Sequence, residues 1–120
     1  MLYTIDGKRI ETIPRRRQAD FQKWRTALGA PNYQIASDAI RNLLDGKEFV
    51  VSSFLPGSDW TNTEFAPLYV ACNGNQTQAG WFFGLIVWDV MIHHPDDWFF
   101  LPAADDDDVL GMRYFRRPKS

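Results

Sequence analysis

"AGWFFGLIVWDVMIHHPDD", residues 79–97, decides how the rest of the chain must fold. From Ala79 to Ile92 the single charge is Asp89. Asn75 and Gln78 have the spacing of a capped helix start. Pro95 disfavours helical geometry at His94 and so ends the segment. The pattern predicts a helix over 76–94. Successive helical residues advance about 100°, so Phe82, Leu85, Ile86, Asp89 and Ile92 share one side. Trp81, Gly84, Trp88 and Met91 share another, with Gly80 beside them. Both sides are apolar, unlike the single stripe of a surface helix.

Something must cover this helix. A membrane span needs roughly 20 apolar residues, and a run of 10–14 marks a buried core helix, so no membrane partner is expected. Gly80 and Gly84 each cost about 1 kcal/mol against Ala inside a helix, which argues for close packing against a neighbour. That neighbour is the rest of the chain, a ligand slot walled by Trp81 and Trp88, or a second copy across a two-fold axis. Four helices and five short strands have limited means to enclose a helix that is apolar all round. The working expectation is therefore a homodimer whose interface is Gly80, Trp81, Gly84, Trp88 and Met91. A buried Asp89 would then need a partner, expected from the basic side chains of 15–25 or 113–117.

Working outward, 120 residues suit one α+β domain, 1–120. Aromatics make up 15 %, with five Trp and nine Phe, enough flat apolar surface for a dense core, an interface or a pocket. One cysteine, Cys72, excludes an intrachain disulfide and fits a reducing cytoplasm. The opening MLYTIDGKRI lacks the apolar run of a signal peptide. Charge is unevenly spread. Residues 1–30 hold seven Lys/Arg against three Asp/Glu, whereas residues 48–112 hold ten acids and no Lys or Arg. Either the basic ends fold back onto the acidic middle, or opposite fields steer association between subunits.

Asp6-Gly7 between two β-prone runs predicts a hairpin, strands 2–5 and 8–13, joined by a two-residue type I′ turn. Phe21, Trp24 and Leu28 form the stripe of a helix over 16–28, capped by Gly29. A second helix, 32–44, buries Ile35, Ala36, Ala39, Ile40, Leu43 and Leu44, and Gly46 closes it. "KEFVVSSFL", 47–55, reads as a strand too apolar for a wet edge. Thr61 and Glu64 have capping-box spacing, but Pro67 breaks a continuing helix. The short helix is then a single turn after Thr61 or a segment near 67–72. Strands at 98–102 and 109–117 complete the order ββααβααββ. Blocks of like elements argue α+β with a mostly antiparallel sheet.

Motifs that carry chemistry are few. In "HHPDDW", His93 and His94 diverge on a helix and cannot share a metal easily; His93 with Asp96 or Asp97 lacks a third ligand. Asp105–Asp108 lacks the ligand spacing of a calcium loop, so the run reads as a solvated hairpin tip. Cys72 has no His near it in sequence. No cofactor, metal or catalytic set is assigned, and the chain does not read as an enzyme. The helices 16–28 and 32–44 invite a helix-turn-helix reading with Arg15, Arg16 and Arg17 on phosphates. The acidic middle argues against nucleic acid.

"NLLDGKEFVVSSFLPGSDWTNTEFAPLY", 42–69, and "AGWFFGLIVWDVMIHHPDDWFFLP", 79–102, together resemble small proteins carried on bacterial mobile gene cassettes of the integron type. The resemblance implies a bacterial cytoplasmic accessory protein and carries over no catalytic residue. The leading functional expectation is a non-enzymatic, self-associating interaction module. Its alternative is a small-molecule binder or small enzyme, with a Trp-lined pocket near Asp59, Trp60, Thr61, Trp88 and the turn from His93 to Asp97.

Overall fold

The computed structural model describes residues 1–4, 6–51, 65–101 and 113–116. The elements follow in the predicted order: β1 Leu2–Thr4, β2 Arg9–Ile10, α1 Gln18–Leu28, α2 Ala30–Leu44, β3 Phe49–Val51, α3 Ala66–Ala71, α4 Gln76–His93, β4 Trp98–Leu101 and β5 Arg113–Arg116. A 3₁₀ turn, Arg15–Arg17, leads into α1. The fold is α+β: among the described residues, four α-helices and a five-stranded sheet in the order β2-β1-β4-β5-β3. Neighbouring strands are antiparallel except β1 and β4, which run parallel, with Leu2 opposite Trp98.

Local chemistry accounts for the helix ends. Asn75 Oδ1 accepts from the Gln78 backbone N–H at 3.0 Å, satisfying one of the first free donors of α4. His94 turns extended (φ −69°, ψ 140°) ahead of Pro95. Gly29, at φ +87°, ends α1 and opens α2 in one residue. The Met1 amine donates to the carbonyls of His94 and, at 2.8 Å, of Asp96. This places two donors at the carbonyl end of α4, where positive charge is favourable.

The sheet has one inner face. Leu2, Trp98, Tyr114 and Val50 point inward and are almost fully buried. On the other face the register aligns Tyr3, Phe99, Phe115 and Phe49 in a single row across four strands. Phe49 and Phe115 remain exposed and in ring contact at 4.9 Å.

α4 lies at the centre, enclosed by its own chain. Phe82 meets Phe21 and Trp24 of α1. Phe83 meets Phe65 at the head of α3. Trp88 stacks on Phe100 of β4 at 4.9 Å, and its indole N–H donates to the Thr12 carbonyl at 3.0 Å. Trp81 is half-buried beneath the Arg17 guanidinium, 4.7 Å from the ring centre. Enclosure by α1, α2, α3, the sheet and the segment 12–17 removes the need for a second copy to cover this helix.

Several local expectations are corrected. Tyr3 faces Arg9 and the Thr4 N–H donates to the Lys8 carbonyl, so the connection from β1 to β2 is longer than the expected two-residue turn. Only Gly7 there has positive φ among the described residues, and Asp6 does not. This is the longer hairpin turn in which one glycine absorbs the left-handed step. Ile35 is half exposed, and Tyr33 takes its place on the buried face of α2. β3 sits at an edge of the sheet, not in its middle. Thr61, Glu64 and Asp105–Asp108 lie outside the described residues, as do 52–55 of the predicted third strand. No helix among the described residues is long and apolar enough to cross a membrane.

His94 is buried against Trp98, ring centres 5.7 Å apart, and its Nδ1 accepts from the Asp96 N–H. Burial holds its pKa below the usual histidine value, opposed by Asp96 and reinforced by Arg116 and Arg41. A folded-state pKa below the unfolded one means that the unfolded chain takes the proton first. The stabilisation is therefore complete above about pH 6.5 and is lost as pH falls below it. Thermal melts from pH 7 to pH 5 should show a falling midpoint. His94→Asn, which keeps an acceptor but does not titrate, should flatten that slope; an unchanged slope would remove His94 as its cause.

Candidate functional site

Two helical stripes face each other beside the core. On α2, Tyr33, Ser37 and Arg41 recur every four residues; on α4, Asp89 and His93 do the same, so each set stands on one side of its helix. Between them lies an open cavity of about 260 Å³, which Arg25 of α1 and Gln34 and Asp38 of α2 also line.

Asp89 organises the floor. Its side chain is 19 % exposed, and it accepts a short hydrogen bond from the Tyr33 hydroxyl. His93 Nδ1 lies 2.9 Å from the Asp89 carbonyl oxygen and 3.4 Å from its carboxylate. Both neighbours are acceptors, so Nδ1 is placed to donate to them. Burial and the hydrogen bond to Asp89 hold the Tyr33 phenol far above its usual pKa, with Arg25 and Ser37 pulling the other way. Tyr33 therefore stays a neutral donor. The Arg25 guanidinium lies over the Tyr33 ring, 4.0 Å from its centre, a cation–π contact. Asp38 accepts from Gln34 Nε2 at 2.8 Å.

The predicted site residues scatter. Gly80, Gly84, Trp88 and Met91 are buried in the chain's own core, with Trp81 at its margin. Trp88 is thus no pocket wall: its ring is spent on Phe100 and Thr12. His93 does line the cavity. Asp97 stands half-buried just before β4, separate from the residues that line it. Asp59, Trp60 and Thr61 lie outside the described residues. Arg15 and Arg16 are exposed on the 3₁₀ turn, while Arg17 caps Trp81. Among the described residues no cluster of three or more His, Cys, Asp or Glu could hold a metal. Cys72 is buried, and burial pushes its thiol up to about 11, the state of an unreactive structural cysteine.

Asp89 found its partners in Tyr33 and His93 rather than in the basic segments 15–25 or 113–117. Tyr33, Ser37 and Arg41 were missed. The signal for them is their four-residue spacing on α2; the expected face of Ile35, Ala36, Ala39, Ile40, Leu43 and Leu44 does not include them. Compared with protein-family models, curated proteins and solved structures, the chain gives no match.

Proposed function

We propose that this chain is a binding protein whose site is the cavity between α1, α2 and α4, and that it takes a small polar molecule there. One observation carries the reading: the single charge in an otherwise apolar helix is turned into a cavity where polar groups from three helices converge. A concave site with a few oriented polar groups is the usual form of a ligand pocket. Its volume falls just under the roughly 300–1,000 Å³ of sites for drug-sized molecules, so the ligand is metabolite-sized or smaller. The lone, buried Cys72 and the resemblance to cassette proteins support a bacterial cytoplasmic setting for it.

The test is an amide NMR screen of a library of small polar metabolites. A binder should shift the signals of Tyr33, Ser37, Arg41 and His93 saturably. A library that moves none of them would retire the reading.

Self-association is a second reading, moved from α4 to the sheet. The row Tyr3, Phe99, Phe115 and Phe49 faces away from the helices, and its last two rings are exposed beside the edge strand β3. Edge strands with apolar side chains invite pairing with another copy. Solution mass should then rise with concentration, and Phe49→Lys should abolish the rise. A constant monomer mass would reject it.

A further inference from the structure

The pocket holds groups of both signs, and the way they are already spent says which ligand charge remains to be matched. Its two carboxylates have internal partners. Asp38 accepts from Gln34 at 2.8 Å, and Asp89 accepts from Tyr33 and approaches His93 at 3.4 Å. Neither guanidinium is spent in the same way. Arg25 lies over the Tyr33 ring, 4.0 Å from its centre, in a cation–π contact rather than an ion pair. Arg41 makes no ion pair within 4.0 Å with a described carboxylate. Both line the same cavity, and both are exposed enough to meet a ligand from solution.

We infer that the pocket takes an anionic ligand, its carboxylate or phosphate group held between the guanidiniums of Arg25 and Arg41. The inference rests on the cavity being a binding site at all. Guanidinium is the group best shaped for such oxygens, because its paired N–H donors match a carboxylate or phosphate edge two at a time. The Ser37 hydroxyl and Gln34 amide are further neutral donors in reach of the same space. A cationic ligand is disfavoured by the same inventory: it would meet two fixed positive charges, while each carboxylate already has a donor from within the chain.

The experiment is an NMR titration at low ionic strength with three probes: inorganic phosphate, succinate and uncharged 1,4-butanediol. Phosphate or succinate should shift the Arg25, Ser37, Arg41 and His93 signals saturably, and whichever binds more tightly identifies the acid group preferred. Butanediol should leave them still. Arg41→Gln should weaken the better anion by about tenfold or more, the loss expected for a charge-assisted hydrogen-bonded contact. Arg41 is exposed, so this variant keeps its fold, as an unchanged melting curve would verify. Arg25→Gln should act in the same direction.

Equal binding of the anion by wild type and both Gln variants would overturn the assignment. So would butanediol, or a cationic hit from the metabolite screen, binding at these residues more tightly than either anion. Those outcomes reject the anion while leaving a binding pocket in place. Silence from all three probes, together with a metabolite screen that moves nothing, rejects both.

Discussion

Phe82→Ala should cost about 3–5 kcal/mol of folding free energy, the range for deleting a buried aromatic ring. Phe82 is fully buried in the middle of α4. Its ring centre lies 6.1 Å from that of Phe21 and 5.8 Å from that of Trp24. It is therefore the knob through which α4 meets α1, and the space it leaves would be walled by two rings too large to refill it. Domains of this size are stable by only about 5–15 kcal/mol, so the loss is a large share of the whole. Denaturant unfolding measures it. Val70→Ala is the control: Val70 is 79 % exposed, and its truncation should change stability by no more than about 0.5 kcal/mol. A Phe82→Ala loss below about 1 kcal/mol, outside the range for such deletions, would mean that α4 is not held against α1 as described.

The second large effect is at Arg116. Its Nη1 donates to Asp96 Oδ2 at 2.9 Å, its Nη2 donates to the Leu44 carbonyl at 3.0 Å, and its guanidinium stands 4.8 Å from the Trp98 ring centre. One side chain so ties β5 to the last carbonyls of α2, to the turn after α4 and to the most buried residue of β4. Both members of the ion pair are mostly buried, 20 % and 23 % exposed. Removing one partner of a fully buried pair costs about 3–5 kcal/mol, and partial solvent screening brings the expected loss for Arg116→Gln to about 2–3 kcal/mol. Arg116→Lys should recover little of it, because an ammonium has no planar fork to divide between carboxylate and carbonyl. The contrast is Arg9 with Glu11, a 3.7 Å pair with both side chains more than half exposed, where Arg9→Gln should leave the unfolding midpoint unmoved. If Arg116→Gln is equally silent, the contacts seen around it contribute nothing to holding the sheet's end.

The order of elements was legible because each boundary has a local chemical cause. Asn75 and Gln78, Pro95 and Gly29 act within a few residues, and each ends or begins a helix where the sequence puts it. What remained hidden depends on partners rather than faces. A helix apolar on every side has two solutions, burial against a copy of itself or a place at the centre of its own fold. Hydropathy is the same in both. Three helices, a sheet and the segment 12–17 together supply the second solution. The edge position of β3 was unreadable for a related reason: Phe49 looks like a core residue by type, yet it belongs to an aromatic row on the outer face. At the site, Asp89 announced that it needed a partner without saying which. Tyr33, Ser37 and Arg41 lie outside the apolar face expected for α2, and nothing in their types sets them apart from residues on a solvated face.

The parallel pairing of β1 with β4 also constrains how the molecule comes together. Leu2 and Trp98 stand side by side in the sheet although nearly the whole chain separates them. Closing so long a loop brings an entropic cost that local contacts do not carry, and pairings of this kind slow the search for the native state. The hairpin of β1 and β2 is made before the helices, yet its parallel neighbour is not made until after the central helix. Its seat in the sheet exists only once β4 has been made, so β1 waits for a partner that follows all four described helices.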